Sequence, residues 1–314
     1  MPLASIIIPC YNGSRYLPQL TASLKPILAA YPGRYEIIFV DDGSQDNSAE
    51  LMRELLPEAI IIRQPNRGLS AARNAGIAHA QGEFLQLLDA DDTIEPNKLE
   101  IQAAAAQAES ADVVYSDWRL LTVNGANIST ETFAPAHAPN EMIEALLTDW
   151  YVPPVGYLFR RSTYLEIGGC DENIKVWEDF DLFLRLALAG KKHCYAPGIL
   201  SNYYRFLEIK SLARRDPTAG ARSREKIILK TVATLEKTSQ LTQPRSKAAA
   251  RSLFGVMRTA GINDPTWLRQ IAAKIYELDP GFKPSGSGSY KILATLFGLV
   301  LAERIAQKLR SQKA

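Results

Sequence analysis

Short apolar runs alternate with amphipathic segments through the first half of the chain. The runs are rich in isoleucine, leucine, valine and phenylalanine and occupy residues 4–9, 35–40, 59–63, 84–88 and 112–116. Runs of this length and composition are typical of strands that are buried on both faces of a parallel sheet. Helical periodicity fills the intervals, and this alternation predicts parallel βαβ units. The predicted fold is therefore α/β, with a doubly wound, mostly parallel sheet flanked by helices.

The alternation breaks down in the middle of the chain. Residues 118–154 contain four prolines, and we predict irregular loops around one helix over 140–148. We also interpret Thr93–Pro96 as the entry to a helix that runs from about Pro96 to Glu109. A strand over 156–160 and a short helix over 161–167 resume the pattern, and another helix begins near Trp177. Irregular segments beside the edge of a sheet often carry substrate-specific loops.

The last third of the chain is predicted to be helical. Apolar periodicity indicates helices over 222–238, 244–261 and 267–278. A stretch rich in serine and glycine over 284–289 is typical of a flexible linker and leads to an apolar helix over 290–310. The predicted domains are an α/β domain over 1–216, a helical extension over 217–283, and the linker with its C-terminal helix over 284–314.

Composition narrows the class of protein. Of the 314 residues, 46% are hydrophobic and 22% are charged, and the net charge of +2 does not indicate nucleic-acid binding. Cys10, Cys170 and Cys194 are far apart and form no CxxC pair, which favours a reducing compartment. The amino terminus carries no signal-peptide pattern, and no apolar stretch reaches the ~18–20 residues that span a bilayer. We therefore expect a cytoplasmic protein.

Acidic residues follow two of the predicted strands. Asp41 and Asp42 end the second strand, and Asp89, Asp91 and Asp92 end the fourth. The carboxyl ends of parallel strands meet at one edge of a sheet, where ligands of open α/β folds bind. Clustered carboxylates repel one another unless a cation is present, and their oxygens are the ligands that Mg²⁺ and Mn²⁺ prefer. A metal–diphosphate site is one interpretation, and an acid-rich turn that caps the next helix is the other.

A third group of acids, Glu178 and Asp179, follows Trp177 at the start of a predicted helix. Acids in a first helical turn complement the helix dipole, so a structural role stands beside a catalytic one. The chain lacks GxGxxG after its first strand, and it also lacks GxxxxGK(S/T) and GxSxG. These absences argue against a dinucleotide fold, a P-loop nucleotidase and a serine hydrolase.

Six motifs occur together in the sequence. They are IIIPCYN from Ile6, VDDGS from Val40, NRGLSAARNAG from Asn66, LDADD from Leu88, GGCDE from Gly168 and EDFDL from Glu178. In this order and combination, the chain resembles family 2 glycosyltransferases of the GT-A fold over residues 4–215. The resemblance implies transfer of a sugar from a nucleotide-diphosphate donor with inversion at the anomeric carbon.

The resemblance also implies roles for single residues on the donor side. The implied nucleotide-sugar-binding residues are Pro9, Tyr11, Asp41, Asp42, Arg73, Asn74, Asp89, Ala90, Trp177 and Arg205. Of these, Pro9 and Tyr11 are expected to border the base, and Asp42, with Asp41 beside it, is expected to hold the base and ribose. Arg73 and Asn74 are expected to pack against the donor, and Arg205 to reach the diphosphate.

On the catalytic side, Asp179 corresponds to the base, and Glu178 and Trp177 shape the acceptor side. Asp91 is the expected ligand of Mg²⁺ or Mn²⁺, with Asp89 and Asp92 beside it. Cys170 departs from the family pattern, because an aromatic residue usually stands there.

The expected reaction adds a single sugar, because the QxxRW signature of processive synthases is absent. The expected donor is a UDP-, GDP- or dTDP-sugar, and the acceptor is a glycan or a lipid-linked acceptor in surface polysaccharide biosynthesis. One alternative is a sugar-nucleotide nucleotidyltransferase, which should carry a glycine-rich, basic loop after its first strand. The other is a catalytically silent nucleotide-sugar-binding scaffold.

The C-terminal helix over 290–310 carries basic residues at both ends and is too short to span a bilayer. Such a helix can lie in a membrane surface, which would place the protein at the inner face of the membrane as a peripheral protein. Packing on its own domain, or on a second copy in a homodimer, is the alternative.

Overall fold

The structure is a computed structural model that describes residues 2–135, 141–148, 150–209, 216–259 and 264–311. The chain forms two compact units. The sheet unit comprises Met1–Asn140 and Tyr151–Ile209, and the helical unit comprises Glu141–Trp150 and Lys210–Ala314. The short segment near residue 145 thus belongs with the C-terminal helices, which the sequence pattern did not indicate.

The sheet unit is built on a mixed sheet in which the first strands are parallel. Its strands are β1 Ala4–Cys10, β2 Tyr35–Asp41, β3 Ile60–Arg63, β4 Phe84–Leu87, β5 Thr93–Ile94, β6 Val113–Asn124, β7 Asn127–Phe133, β8 Tyr157–Arg160 and β9 His193–Phe206. Their order is β3-β2-β1-β4-β8-β6-β9-β5, and β7 pairs with β6. β1 pairs in parallel with β2 and β4, and β6 pairs in parallel with β9. The predicted α/β fold class is confirmed.

Helices fill the connections that the sequence pattern predicted. They are α1 Leu17–Ala30, α2 Ser48–Leu55, α3 Leu69–His79, α4 Lys98–Glu109, α5 Met142–Leu147, α6 Arg161–Glu166, α7 Glu178–Leu188, α8 Pro217–Lys237, α9 Gln243–Thr259, α10 Pro265–Leu278 and α11 Gly288–Ser311. Residues 140, 260 and 261, which the sequence assigned to the ends of two helices, lie outside the described residues.

The close packing of α3 on the sheet brings its first turns to the strand ends. Every residue of β1 is buried. A Cβ atom added at Gly76 would lie 2.6 Å from Ile7 Cγ2, so a larger residue would push the helix away from the sheet. Arg73 lies about one turn before this contact and is carried with it to the edge of the sheet.

A buried lysine ties α4 to the strands. Lys98 Nζ donates hydrogen bonds to the side-chain oxygens of Gln86 and Gln102 and to Tyr157 O. Burial lowers the pKa of Lys98, so these three acceptors replace the water that the amine has lost. The bonds connect α4, β4 and the beginning of β8.

The prediction of irregular loops over 118–154 was wrong in its first part. β6 continues to Asn124 and pairs with β7 in an antiparallel hairpin. Gly125 and Ala126 connect the paired residues Asn124 and Asn127, and glycine with a positive φ, here 57°, at the first of two turn positions is a hairpin signal that the sequence contained. At the other end of the hairpin, the rings of Trp118 and Phe133 stack with their centroids 4.4 Å apart.

Two further strands surround the acidic run after β4. Thr93 and Ile94 form β5 and pair with β9, a short strand that the sequence pattern did not indicate. The helix predicted from about Pro96 to Glu109 is confirmed and spans Lys98–Glu109. β9 pairs with β6 along most of its length, with irregularities in register on both sides of Asp117. The pairing of β5 with β9 brings a late segment of the chain beside the acidic run.

The helical unit contains the helices predicted for the last third of the chain. Asp216 and Asp264 begin α8 and α10 by accepting hydrogen bonds from Ala219 N and Trp267 N, each at 2.9 Å. Gly298 interrupts α11 with a φ of 81°, which divides it into two helical segments. Within the described part of the chain, no helix combines the length and the apolar character that crossing a membrane requires.

Candidate functional site

Parallel strands deliver both acidic runs to one edge of the sheet. β1 pairs with β2 on one side, with Cys10 opposite Asp41, and with β4 on the other, with Ile7 opposite Leu87. Asp42 and Asp89 follow these strands within two residues. The register therefore produces the convergence that the βαβ pattern predicted.

A buried arginine joins the run after β4 to the acids of α7. Arg73 on α3 is 1% exposed. Its Nη2 donates to Asp89 Oδ1 at 2.8 Å, and its Nη1 donates to Glu178 Oε1 at 3.1 Å. One guanidinium thus compensates two carboxylates from distant parts of the sequence. Its predicted contact with a donor stays a prediction, because its described polar contacts are these two acids.

Asp91 and Asp92 are carboxyl groups in poorly solvated positions. Burial and the nearby charge of Asp89 raise the pKa of Asp91 to about 7. Burial and the neighbouring aspartates raise the pKa of Asp92, whose Oδ1 accepts a hydrogen bond from Tyr204 N at 2.9 Å. Carboxyl groups whose pKa is raised in this way favour the binding of a cation, because a cation stabilises their ionised form.

The first turn of α7 brings two more carboxyl groups to the site. Trp177 caps the helix with a φ of 69°, a left-handed conformation that is uncommon for a bulky residue and frequent at functional sites. Burial and the charge of Asp179 raise the pKa of Glu178 to about 7. Asp179 Oδ1 accepts a hydrogen bond from Phe180 N at 2.8 Å, and burial raises the pKa of Asp179 as well.

The carboxylate of Asp42 is held by the segment that precedes α3. Its Oδ1 accepts from Gln64 Nε2 at 2.7 Å and from Arg67 N at 2.9 Å, and its Oδ2 accepts from Gly68 N at 2.8 Å. Asp41 forms an ion pair with the Arg63 side chain at 3.0 Å. Both aspartates therefore shape the loops at this edge, and their predicted contacts with a nucleotide stay predictions.

The remaining residues of the predicted donor site differ in exposure. Tyr11 is 52% exposed and is available to a ligand at the surface, whereas Pro9 and Ala90 are buried. Arg205 lies exposed on β9 opposite Thr122 of β6, on the same side of the strand as Tyr203. Their predicted roles are compatible with these positions and stay predictions.

Asn74 connects α3 to the GGCDE segment. Its Nδ2 donates to Cys170 O at 2.9 Å, and its Oδ1 accepts from Cys170 N at 3.0 Å. A Cβ atom at Gly169 would lie 2.7 Å from Asn74 Oδ1, so the segment approaches closely. The Cys170 thiol is buried against the Tyr164 hydroxyl at 2.9 Å, so this departure from the family pattern is a matter of packing.

Sequence reasoning missed three side chains that interact electrostatically with the carboxylates. Burial and the charges of the aspartate run raise the pKa of Tyr203. Desolvation of its hydroxyl and the charge of Asp179 raise the pKa of Tyr151, although the residue as a whole is 45% exposed. The charge of Arg15 acts in the opposite direction on Asp91 and lowers its pKa. These residues belong to segments far apart in the sequence, so no local pattern could have indicated their proximity.

The side chains that are available as metal ligands determine which kind of metal site fits here. Among the described residues, no group of three or more His, Cys, Asp or Glu side chains is arranged to hold a metal ion by itself. Arg73 forms an ion pair with Asp89, and the Tyr204 amide donates a hydrogen bond to Asp92. Asp91 forms no ion pair with any described residue. Mg²⁺ commonly binds one or two carboxylates and completes its shell with water and phosphate oxygens. The residues therefore fit a cation that is shared with a diphosphate.

Comparison with solved structures supports the fold. The crystal structure of residues 1–349 of TarS from S. aureus aligns with a TM-score of 0.68 at 18% identity, covering 100% of this chain and 92% of that chain. A structure of the same protein in complex with UDP-GlcNAc aligns with a TM-score of 0.63 at 16% identity, again over 100% and 92% of the two chains. The predicted GT-A-type fold is confirmed.

Sequence comparison identifies relatives. A chondroitin synthase of Pasteurella multocida (strain Pm70) is 28% identical over 204 residues, which cover 62% of this chain and 20% of the synthase. The chain thus spans about a fifth of that relative's length. The uncharacterized glycosyltransferase YwdF of Bacillus subtilis (strain 168) is 35% identical over 191 residues, covering 58% of this chain and 67% of that protein.

The sequence model of glycosyl transferase family 2 matches residues 5–166. This match includes the strands and the helix that carry Asp42, Arg73 and the acidic run from Asp89 to Asp92. The predicted resemblance is thereby confirmed, and the chain belongs to glycosyl transferase family 2.

Proposed function

We propose that this chain transfers one sugar from a nucleotide-diphosphate sugar to an acceptor hydroxyl, with inversion at the anomeric carbon. The observation that carries the proposal is the Arg73 bridge, in which Arg73 contacts both Asp89 and Glu178 and so joins the acidic run after β4 to the acids of α7. Asp91 and Asp179 remain without an ion pair among the described residues. Sugar transfer needs positive charge at the leaving diphosphate and a base at the acceptor hydroxyl. Asp91 is suited to bind the cation that supplies this charge, and Asp179 is suited to act as the base.

We assign the metal to Asp91, with Asp89 and Asp92 beside it, and Mg²⁺ or Mn²⁺ as the ion. When bound, the ion supplies positive charge that stabilises the departing diphosphate. The chain contributes a cluster of poorly solvated carboxyl groups at a sheet edge. Because the pKa of Asp91 is raised to about 7, cation binding is expected to displace a proton from this group near neutral pH.

We assign Asp179 as the general base. Its raised pKa makes its carboxylate a better proton acceptor than that of an exposed aspartate. A base that removes the acceptor proton as the oxygen attacks is sufficient for a single displacement, and a single displacement inverts the anomeric carbon. Glu178 is tied to Arg73 and holds the first turn of α7 in position.

We propose a UDP-sugar as the donor, ahead of GDP- and dTDP-sugars. Support comes from TarS, whose solved structure contains UDP-GlcNAc. For the acceptor, we propose a glycan or a lipid-linked acceptor in surface polysaccharide biosynthesis. The name of the chondroitin synthase relative supports this acceptor class.

The donor proposal is tested by thermal unfolding of the full chain with UDP-, GDP- and dTDP-sugars, with and without Mn²⁺. A ligand that binds only the folded state raises the melting temperature. We expect a rise with UDP-sugars that depends on Mn²⁺. A comparable rise without metal would contradict the metal assignment, and no rise with any donor would contradict the proposed function.

Asp91→Asn is expected to raise the melting temperature of the ligand-free chain near pH 8 while abolishing the Mn²⁺-dependent rise with donor. In the folded state the pKa of Asp91 is raised to about 7, well above its value in an unfolded chain. The carboxyl group of Asp91 therefore costs stability that an amide does not; this cost builds up as the pH rises from the unfolded pKa to about 7, is fully present above pH 7 and disappears below the unfolded pKa. Unfolding curves near pH 5 and near pH 8, recorded in EDTA, measure the difference.

A metal ligand and a structural carboxylate predict different results for Asp91→Asn. Only loss of a metal ligand is expected to raise stability while abolishing metal-dependent donor binding. Asp112→Asn is the matched control, because Asp112 accepts hydrogen bonds from Thr163 and Lys192 away from the acidic run. We expect this control to keep the metal-dependent rise. A loss of stability in Asp91→Asn at both pH values would show that Asp91 is a structural carboxylate.

We also propose that one face of α11 contacts a membrane surface. Large apolar side chains are exposed on this helix, with Leu296 at 67% and Phe297 at 60%. Tyr290, Leu299 and Ala302 on the same helix are buried within the helical unit. The helix thus has a packed side and an apolar side in water, as interfacial helices do.

Leu296→Ser combined with Phe297→Ser is expected to weaken binding to vesicles of phosphatidylcholine and phosphatidylglycerol by at least about tenfold, from the lost apolar contact area. Sedimentation with vesicles measures the bound fraction. Ile128→Ser with Leu165→Ser removes two exposed apolar side chains from the sheet unit and serves as the control. Unchanged vesicle binding would remove the membrane proposal, and dissociation of a dimer by the same double variant would assign this face to a second copy.

A further inference from the structure

The helical unit contains a cavity of about 520 Å³ that lies outside the proposed transfer site. Its described lining comes from the end of α5, from α8 and α9, and from the segment that follows Phe282. Four basic side chains take part in this lining, and they are Arg224, Arg251, Arg258 and Lys283. No acidic residue is among the described lining residues.

The positive charge of this cavity is part of a wider asymmetry. Of the 36 lysines and arginines in the chain, 20 lie after residue 209, compared with 7 of the 34 acidic residues. The acids of the nearby α5 segment are already paired, since Arg245 contacts Glu141 at 3.4 Å and Glu144 at 3.2 Å. Arg251, Arg258 and Lys283 form no ion pair with a described carboxylate. Their charge is therefore available to an anion.

The arrangement of α9 opens the cavity between two arginines. Arg251, Gly255 and Arg258 are spaced by four and three residues, so they share one face of the helix. A Cβ atom added at Gly255 would meet no atom within 4 Å, so the missing side chain leaves open space between the arginines. The Arg258 guanidinium lies over the Phe254 and Tyr290 rings, at 5.9 Å and 5.8 Å from their centroids, which restricts its conformations.

We propose that this cavity binds a phosphate group of a ligand distinct from the sugar donor. Guanidinium groups form paired, charge-assisted hydrogen bonds with phosphate oxygens, and Arg251 and Arg258 both line this cavity, where no described lining residue is acidic. The Ser252 hydroxyl, which accepts a hydrogen bond from Arg224 Nη2 at 3.4 Å, adds a polar group to the same wall. The volume exceeds that of a phosphate ion and lies in the range of small-molecule sites, so the phosphate is part of a larger molecule.

A soluble phosphate ester and an anionic lipid headgroup carry the same chemistry, and two probes distinguish them. Isothermal titration of the full chain with glycerol 3-phosphate measures soluble binding. Sedimentation with phosphatidylcholine vesicles, with and without phosphatidylglycerol, measures headgroup binding. Both are performed without divalent metal and without nucleotide sugar, so the result does not depend on the proposed transfer activity. We expect at least one probe to bind, with an affinity that falls as salt is raised.

Two variants test whether the cavity is responsible. Arg251→Gln with Arg258→Gln is expected to weaken binding by about 100-fold, at roughly tenfold for each charged hydrogen-bonding group. Gly255→Leu places a side chain into the open space without changing any charge, and it is expected to abolish binding while α9 stays folded by circular dichroism. Lys237→Gln with Arg269→Gln removes two exposed charges from other helices of the unit and is expected to change binding less than about twofold.

The combined results decide the proposal. Binding that is lost in both cavity variants and kept in the control supports it, and the probe that binds identifies the source of the phosphate. Binding lost equally in the control shows general attraction to a basic surface and overturns it. Failure of both probes to bind the unaltered chain also overturns it, and this result leaves the proposed transfer activity untouched.

Discussion

Replacing Asp179 with asparagine is expected to slow sugar transfer by about 10²–10⁴-fold and to leave donor affinity nearly unchanged. Asparagine has the same shape, and its amide oxygen can still accept the hydrogen bond from Phe180 N. Its amide cannot take the proton of the acceptor hydroxyl, so the chemical step loses its base. Release of UDP from a UDP-sugar in the presence of acceptor measures transfer, and calorimetric titration with donor measures affinity.

Glu166→Gln is the matched control for this variant. Glu166 is a surface acid whose side chain is 66% exposed and forms an ion pair with Lys191. Its replacement is expected to alter the transfer rate by less than about twofold, because exposed ion pairs contribute little. Full transfer activity in Asp179→Asn would refute the assignment of the base. A large loss of donor affinity would place Asp179 on the donor side of the site instead.

Arg73→Met is expected to lower the free energy of unfolding by about 3–5 kcal/mol at neutral pH and to abolish transfer. The arginine is buried, and its loss leaves the carboxylates of Asp89 and Glu178 without compensating charge. Methionine fills part of the volume, so most of the loss comes from charge rather than from a cavity. Urea unfolding of the purified chain measures the change.

The pH dependence of this loss identifies its cause. The pKa of Glu178 is raised to about 7 even with Arg73 present, and removing the arginine raises it further. A carboxyl group whose folded pKa lies above its unfolded pKa costs stability as the pH rises between the two values. The deficit of Arg73→Met is therefore expected to be large near pH 8 and smaller near pH 5. A deficit independent of pH would indicate lost packing.

Arg34→Met tests whether the effect is specific to a buried bridge. Arg34 pairs with Glu100 at the surface, where its side chain is 49% exposed. We expect this control to lower the free energy of unfolding far less than Arg73→Met does, because exposed ion pairs contribute little. Equal losses in the two variants would show that the Arg73 bridge has no special weight in the site.

Local patterns predicted the elements that carry the family motifs. The apolar runs correspond to β1–β4 and to the start of β6. A strand buried on both faces needs continuous apolar side chains, which explains β1, β2 and β4, whereas β3 lies at the edge of the sheet and its Ile60 is 43% exposed. The convergence of Asp42 and Asp89 also followed from the sequence, since parallel strands present their carboxyl ends at one edge. Patterns of period two failed for β7, where all residues are exposed and no apolar alternation marks the strand.

The contacts between side chains within the site could not be predicted from such patterns. Arg73 was assigned to the donor from its motif, whereas its described polar contacts are two acids from other elements. Asn74 likewise contacts the Cys170 backbone. These contacts depend on how closely α3 packs on the sheet and where α7 begins, and neither quantity has a local signature.

By itself, the sequence determined the α/β architecture, the family, and the edge of the sheet where acidic residues gather. These features follow from the order of apolar runs and from motifs that are contiguous in the chain. Only the tertiary structure decided which carboxylates form ion pairs and which are available for the proposed metal binding and proton transfer. The physical reason is that burial raises the pKa values of Asp91, Glu178 and Asp179, while the Arg73 guanidinium lowers those of Glu178 and Asp179 and forms an ion pair with Asp89. Burial and such long-range contacts exist only once the helices have packed on the sheet.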